Sequence, residues 1–131
     1  MGHDFKDKEL TEKIIGCAMK VHRTLGNGFQ ELIYQRCLEI ELNKNNIANS
    51  REHVMPLYYE GQPVGTRRVD FLIEGIVSVE LKALIELEDV HLAQAINYLE
   101  AYNLEIGLLI NFGARSLQFK RLLNRKYKSN V

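Results

Sequence analysis

Hydrophobic and polar residues alternate with a helical period over the first third of the chain. Apolar residues recur at helical spacing between about Asp7 and Leu25, which predicts a first helix, and Gly26 provides its stop signal. A second helix is predicted from about Phe29 to Asn43, where the polar stretch NKNN follows. The apolar positions of the first helix are Leu10, Ile14, Cys17, Ala18 and Val21.

The middle of the chain changes to a strand-like pattern rich in β-branched and aromatic residues. The stretch HVMPLYYEGQPV predicts a strand that leads into a turn at Gly61. Pro56 makes this strand an edge candidate, because proline cannot donate a ladder hydrogen bond. The stretches RRVDFLI and IVSVELKAL follow on either side of Gly75 and predict two further strands.

The last third predicts a helix and at least one more strand. Apolar residues give an amphipathic helix from about Glu88 to Tyr102, and the run EIGLLINFG suits a central strand with both faces covered. The stretch SLQFKRLL fits either a last strand or a short helix. This order predicts an α/β fold with a mixed central sheet flanked by helices. We expect one domain over residues 1–131, with loose ends at about 1–6 and 126–131.

Composition limits the partners that such a domain can attract. Lys and Arg number 17 and Asp and Glu number 17, so a polyanion would have to bind a local site and not the protein as a whole. The N-terminus is charged and no apolar run is long enough to span a bilayer, which predicts a cytoplasmic protein without a membrane partner. Cys17 and Cys37 lack a C-x-x-C spacing and are interpreted as small core residues.

Two acids stand in the middle of neighbouring predicted strands. Residues opposite each other in an antiparallel pair lie on the same face of the sheet. A three-residue connection, Glu74-Gly75-Ile76, would bring Asp70 opposite Glu80, whereas a two-residue loop would put the acids on opposite faces. The register therefore decides whether the two carboxylates meet.

Facing carboxylates would need a compensating charge. At roughly 5 Å their repulsion costs roughly 1 to 4 kcal/mol, depending on the effective dielectric. Lys82 lies on the same predicted face and could neutralise part of it, and a hard divalent cation with oxygen ligands would do so better. The alternative is a solvated polar face on which Asp70 and Glu80 share ion pairs with Arg68 and Lys82.

Polar residues elsewhere add to this pattern. Glu31 lies on an apolar stripe of the second helix and is expected to point inward, while Gln94 and Tyr98 project from one face of the later helix. The C-terminal charges from Arg115 to Lys128 are all basic and would either hold phosphates or keep the tail solvated. The stripe with Glu31 comprises Tyr34, Gln35, Leu38 and Leu42.

Three motifs in order resemble a known superfamily. Asp70 followed by Glu80-Leu81-Lys82 resembles the D…(D/E)-x-K motif of the PD-(D/E)XK nucleases, with Val69 in place of the motif's proline. The stretch GFQELIY is similar to the G-x-x-E-x-x-Y signature of the GxxExxY protein family, a branch of that superfamily. Residues 94–98 resemble the Q-x-x-x-Y motif of the RecB-like nucleases. The resemblance implies a restriction-endonuclease-like αβββαβ core and phosphodiester cleavage.

The resemblance also implies roles for particular residues. Asp70, Glu80, Glu31 and the carbonyl of Leu81 would hold Mg²⁺ or Mn²⁺. Lys82 would orient or deprotonate the attacking water and stabilise the transition state. Gln94, Tyr98 and Tyr34 would support the site. The residues expected to contact nucleic acid are Arg67, Arg68, Arg115, Lys120 and Arg121.

Two function classes stay open at this point. The first is a divalent-metal-dependent nuclease acting on DNA or RNA, with DNA favoured and DNA repair as its setting. The second is a catalytically silent nucleic-acid-binding or protein-interaction module that keeps the fold. A homodimer would provide two active sites for cutting both strands, but no sequence feature establishes one.

Overall fold

Three helices and five strands make up the computed structural model, which describes the backbone of residues 2–129 and the side chains of residues 7–129. The strand order is β1-β2-β3-β4-β5, with β3 and β4 parallel and the other neighbours antiparallel. The predicted α/β class, with an αβββαβ core and a mixed sheet, is confirmed. The elements are α1 Gly2–Leu25, α2 Glu31–Lys44, β1 Asn49–Tyr59, β2 Gln62–Ile73, β3 Val77–Lys82, α3 Asp89–Ala101, β4 Ile106–Asn111 and β5 Gln118–Leu123.

The observed bounds differ from the sequence pattern mainly in the first hairpin. Strand β1 begins at Asn49 and strand β2 at Gln62, so both are longer than predicted. Much of this hairpin is exposed to solvent, and an exposed strand lacks the apolar alternation that marks a strand in the sequence. Helix α1 begins before Asp7, and SLQFKRLL forms a strand rather than a helix.

The structure confirms the positions in the sheet that were predicted for two strands. Strand β1, which contains Pro56, is an edge of the sheet, and strand β4 is central with all six residues buried. The predicted loose end at 126–131 lies partly outside the described residues. Within them, the backbone of Lys128 exchanges two hydrogen bonds of 2.9 Å and 2.8 Å with the side chain of Asn103.

The sheet separates two apolar layers. On one face, α1 and α2 pack against alternate residues of the inner strands, including Phe71, Val79 and Leu81. On the other face, α3 packs through Leu99 against Leu109. The two layers bury β3 and β4 on both faces. Because both strands are packed on both sides, they hold the residues at their ends in fixed positions.

The hairpin of β1 and β2 bends where it leaves β3. Arg51 pairs with Phe71 and His53 with Val69, whereas Glu52 between them has a left-handed φ of 53°. Before the bend, Arg51 contacts Gln35 of α2. Beyond it, Met55 contacts Tyr98 and Tyr102 of α3. The bend therefore carries the hairpin from one helical layer toward the other.

The remaining expectations concern cysteines and the membrane. Cys17 is buried and Cys37 is partly buried, and both are free thiols packed in or against the apolar layer of α1 and α2. Their interpretation as core residues is confirmed. Across residues 2–129, no helix combines the length and the apolar character needed to cross a bilayer.

Candidate functional site

The register of β2 and β3 brings the two acids together. Phe71 pairs with Val79, the last pair of this ladder, and Ile73 pairs with Val77, so the register puts Asp70 and Glu80 at the step just beyond the ladder's end. The charge of Asp70 raises the pKa of Glu80, so the two carboxylates lie within electrostatic reach of each other. The strands are joined by Glu74-Gly75-Ile76, in which Glu74 and Gly75 have φ values of 55° and 68°. The predicted three-residue connection is confirmed.

Asp70 is held by hydrogen bonds to both carboxylate oxygens. The last ladder pair that β2 and β3 make is Phe71–Val79, and the next free donor on β3, the Leu81 N–H, donates to Asp70 Oδ2 at 2.7 Å. Gln35 Nε2 donates to Asp70 Oδ1 at 2.8 Å, and Arg51 Nη1 donates to Gln35 Oε1 at 2.7 Å. The diverging strands and α2 together fix the orientation of this carboxylate.

Glu80 is paired with an arginine of the bent hairpin. Arg67 Nη2 lies 3.3 Å from Glu80 Oε1 and donates to the Gln94 carbonyl at 2.7 Å. The guanidinium also lies 5.5 Å from the centre of the Tyr98 ring. The Arg67 side chain thus faces Glu80 and α3, and its assignment to nucleic-acid contact stays a prediction.

Lys82 ends β3 beside these acids with a free amine. Among residues 7–129 the amine makes no hydrogen bond or ion pair. Its charge lowers the pKa values of Asp70 and Glu80 as well as that of Glu31, so it lies within electrostatic reach of all three. The alternative from the sequence, in which Asp70 and Glu80 share ion pairs with Arg68 and Lys82, does not occur among residues 7–129: Arg68 lies near Glu52, and Glu80 pairs with Arg67.

The chain beyond Lys82 is tightly packed, which fixes the direction in which β3 ends. Phe112 N donates to the Lys82 carbonyl at 2.8 Å. Asn111 is fully buried and exchanges hydrogen bonds of 2.8 Å and 2.9 Å with the backbone of Leu84. A Cβ on Gly113 would lie 2.3 Å from Leu84 N, so only glycine allows this approach.

Glu31 lies at the edge of the site. It is the first residue of α2 and is exposed to solvent, so the prediction that it points into the core is wrong. The other members of its stripe are buried, because they lie one or more turns further along the helix. Glu31 still feels the charges of Asp70 and Glu80, both of which raise its pKa.

All three acids of the site have raised pKa values. Desolvation is the largest cause in each case, since a low-dielectric surrounding disfavours the charged form, and the neighbouring protein acts in this way even on Glu31, whose side chain is exposed. For Asp70 the Leu81 N–H and Gln35 act in the opposite direction, and for Glu80 Arg67 does so. Each of these carboxylates therefore gains from a nearby positive charge.

The donor atoms suit a hard divalent ion, although three acids do not converge. Within the described residues no group of three His, Cys, Asp or Glu side chains is close enough to hold a metal ion. Asp70 and Glu80 provide carboxylate oxygens on neighbouring strands, with the Leu81 carbonyl between them in sequence. Mg²⁺ commonly binds through one or two carboxylates and keeps several waters, so this set fits it without Glu31.

The predicted supporting residues divide into structural and peripheral positions. Tyr34 is buried and stacked on Phe112, with ring centres 4.6 Å apart. Tyr98 is also buried, and its hydroxyl donates to Met55 Sδ at 3.4 Å instead of reaching Lys82. Burial raises the pKa of Tyr98 to about 12. The Gln94 side chain is exposed, and this residue contributes its carbonyl to Arg67.

The other basic residues lie on different sides of the sheet. Arg68 is 63% exposed, with only a 3.9 Å contact to Glu52, and Arg115 is exposed in the loop after β4. Lys120 shares a cross-strand row with Leu109 and Glu80, on the face of α3. Arg121 points to the other face, where its Nε donates to Thr11 Oγ1 at 3.1 Å.

Sequence reasoning missed the two residues that orient Asp70. Gln35 was recognised only as part of the apolar stripe, and Arg51 was not singled out. A glutamine among buried apolar positions is itself a signal, because a buried amide needs hydrogen-bond partners. The arginine could not be found in this way, since its partner lies on another element.

Comparisons with known proteins agree with this architecture. A family model described as the PD-(D/E)XK nuclease superfamily matches residues 8–122. A solved structure titled "Crystal structure of SSO0001" matches with a TM-score of 0.58 and 19% sequence identity, over 70% of this chain and 48% of that chain. This chain thus spans about half of that protein, and the likeness shows the fold alone. No curated protein matches the chain significantly. Because the family model covers most of the sequence, the chain belongs to the PD-(D/E)XK nuclease superfamily.

Proposed function

We propose that this protein is a divalent-metal-dependent nuclease that hydrolyses phosphodiester bonds of DNA or RNA. The observation that carries the proposal is the free amine of Lys82 beside two facing strand carboxylates. A purely structural lysine would be expected to form an ion pair with one of the nearby acids. An unpaired amine instead leaves a donor available for a substrate or a water molecule.

The residues around Asp70 would bind the metal ion and keep its ligands in place. Asp70, Glu80 and the Leu81 carbonyl would hold Mg²⁺ or Mn²⁺, and Glu31, at the edge of the site, is a further candidate ligand. The ion would supply positive charge to the phosphate and lower the pKa of water. Gln35 and the Leu81 N–H hold the Asp70 carboxylate in a single orientation.

Lys82 would act on the reacting phosphate. Its amine would position the attacking water and donate hydrogen bonds to the phosphoryl oxygens, where negative charge develops. The tight packing of Asn111 and Gly113 on Leu84 limits how far the end of β3 can move. A site held this rigidly needs little reorganisation during the reaction.

Exposed basic residues would position the nucleic acid outside the reacting centre. Arg68 and Arg115 are the first candidates, followed by Lys120 on the same face of the sheet as Glu80. Such phosphate contacts fix register without reading sequence. Arg121 is a weaker candidate, because its guanidinium already donates to Thr11.

Finer assignments rest on the sequence motifs. We assign the chain to the GxxExxY branch because Gly28, Glu31 and Tyr34 carry its spacing. One domain over residues 1–131 is supported by a sheet that α1, α2 and α3 cover together. A homodimer, DNA as the substrate, a role in DNA repair and a cytoplasmic location stay predictions.

A catalytically silent module is the second candidate, and one observation favours it. Arg67 lies 3.3 Å from Glu80 and so places a positive charge where an ion would otherwise bind. A protein that had lost metal binding could keep its acids neutralised in this way. Such a module would bind nucleic acid in a salt-dependent manner without cleaving it.

Cleavage assays separate the two functions. Purified protein is incubated with single- and double-stranded DNA and RNA, with Mn²⁺ or with chelator. We expect Mn²⁺-dependent cleavage that Asp70→Ala and Lys82→Ala each reduce by at least about a hundredfold. Lys13→Ala is the matched control, since Lys13 is an exposed lysine that lines a surface cavity together with Glu74, at the other end of β2 and β3.

Calorimetry with Mg²⁺ and Mn²⁺ gives an independent result. Binding that Asp70→Ala abolishes would support the metal site even where no cleavage is seen. Salt-sensitive nucleic-acid binding without metal binding or cleavage would establish the silent module. Cleavage that survives both substitutions would come from a contaminating enzyme.

A further inference from the structure

A fixed and exposed phenylalanine lies two residues before Glu31. Phe29 is 48% exposed, although aromatic side chains of this size gain most from burial. Its ring meets the Tyr34 ring edge to face, with centres 6.3 Å apart and planes at 85°. The Phe29 N–H donates to the Tyr34 hydroxyl at 3.1 Å, and that hydroxyl donates to the Gly26 carbonyl at 2.5 Å. Phe29 is thus held firmly while much of its surface stays open to solvent.

The loop that carries Phe29 borders the end of β3. Asn27 Nδ2 donates to the Gly113 carbonyl at 3.5 Å, and His22 Nε2 lies 2.9 Å from the Ala114 carbonyl. Gly113 in turn packs against the backbone of Leu84, two residues after Lys82. The loop of Phe29 is thus linked through Gly113 to the backbone two residues beyond Lys82, and Glu31, two residues after Phe29, lies within electrostatic reach of the Lys82 amine.

Charge at this edge matches a polyanion. Arg115 follows Ala114 directly, is exposed, and forms no ion pair within residues 7–129. The Cα atoms of Phe29 and Glu31 are at most about 7 Å apart, because two extended residues span no more than that. The aromatic face of Phe29 thus lies close to Glu31, a candidate metal ligand, and the free cation of Arg115 lies in the loop that Asn27 contacts.

We propose that Phe29 is a base-stacking residue and that the substrate of this site is single-stranded nucleic acid. The inference rests on the proposed nuclease function and names its substrate class. Stacking of a base on an aromatic side chain is sequence-tolerant and strong enough to matter at a single position. A ring that Tyr34 already holds in place loses little freedom when a base stacks on it.

Single strands fit these features better than a duplex. Within a duplex each base is covered on both faces by its neighbours, so an exposed phenylalanine can stack only on an unpaired or terminal base. A duplex binder also needs many phosphate contacts, and this chain has equal numbers of basic and acidic residues. One aromatic contact beside a few cations suits a flexible strand.

The test is equilibrium binding in a Lys82→Ala background, in which the probe is not cleaved. The probe is an oligothymidylate of roughly twelve nucleotides with one 2-aminopurine, alone or annealed to its complement. We expect the single strand to bind at least about tenfold more tightly than the duplex. Phe29→Leu should weaken single-strand binding about tenfold and remove the quenching of 2-aminopurine that stacking causes, and Phe29→Trp should restore both.

Phe119→Leu is the matched control, because Phe119 is 38% exposed on β5 and undergoes the same chemical change. It should bind as the parent does. Equal single-strand binding by Phe29→Leu, or a change in its self-association in place of nucleic-acid binding, would overturn the inference and leave the nuclease proposal standing. No binding of any probe by any variant would overturn both.

Discussion

Glu52 of β1 and Asp70 of β2 stand at the same step of the hairpin, between the ladder pairs Arg51–Phe71 and His53–Val69, yet they do not form a ladder pair themselves. The φ of Glu52 is 53°, a left-handed value that an ordinary L-residue adopts only at a cost of about 1 to 2 kcal/mol. The strain coincides with the point at which the hairpin bends away from β3. The strained residue thus lies beside the carboxylate that we assign to metal binding.

Glycine at position 52 is expected to relieve this strain. Glu52→Gly should be more stable than Glu52→Ala by about 1 kcal/mol, because both lack the side chain and only glycine adopts a positive φ freely. In an unstrained strand the order would be reversed, since glycine there is less favourable than alanine. Urea denaturation of the two variants measures the difference, and a more stable alanine variant would show that the left-handed backbone carries no strain.

The chain of hydrogen bonds from Arg51 through Gln35 to Asp70 gives a second prediction. Gln35→Leu should weaken Mn²⁺ binding by about 10- to 100-fold, as is typical when the partner that orients a metal ligand is lost. Isothermal titration calorimetry with Mn²⁺ measures this change. Because Gln35 is buried, a thermal melt should accompany each titration to confirm that the variant is folded.

Gln30→Leu is the control for that substitution. Gln30 precedes α2, is exposed and makes no capping hydrogen bond, so the same chemical change should leave Mn²⁺ affinity unaltered. A folded Gln35→Leu protein with the parent's affinity would mean that Asp70 needs no support from α2. An equal loss in both variants would point to a general effect of added apolar surface near α2.

Local chemistry made the central register predictable from sequence. The positions of Asp70 and Glu80 depend on a loop of three residues, and glycine at position 75 permits the backbone that such a loop needs. The buried strand β4 could also be predicted, because an unbroken apolar run in a small α/β domain is typical of a strand covered on both faces. These features depend on residues close together in the chain.

Long-range geometry explains what the sequence could not provide. Glu31 was expected inside because it lies on an apolar stripe, yet a residue in the first turn of a helix extends beyond the layer that the stripe buries. Arg67 was assigned to phosphate contacts, but its guanidinium lies 3.3 Å from Glu80 and over the Tyr98 ring. Neither outcome has a local signature, since each depends on how separate elements meet.

The raised pKa of Glu80 predicts how stability depends on pH. In chelator at neutral pH, Glu80→Gln should be more stable than the parent, because burial disfavours the ionised carboxylate more than its partners favour it. A folded pKa above the unfolded value means that the native state binds the proton more tightly. The parent should therefore gain stability relative to the variant as pH falls through the folded pKa toward 4.5, the ordinary pKa of a glutamate.

Thermal denaturation of both proteins across this pH window measures the difference. The gap between their melting temperatures should be widest at neutral pH and close on acidification. Divalent-ion affinity of the parent should fall over the same window, because protons compete for the carboxylate. A Glu80→Gln protein that is less stable than the parent at neutral pH would show that the pair with Arg67 outweighs burial.

Arg67 provides the last prediction, since its charge competes with any ion that binds Glu80. Arg67→Met keeps much of the apolar stem but removes the guanidinium that lies over Tyr98 and its charge 3.3 Å from the Glu80 carboxylate. We expect Mg²⁺ affinity to rise about tenfold in calorimetry, which corresponds to about 1.4 kcal/mol. Arg68→Met removes a neighbouring charge that is 63% exposed, and solvent screening should make its effect several-fold smaller. If Arg67→Met binds no divalent ion either, the arginine is not what limits the site, and the silent module becomes the better description of this protein.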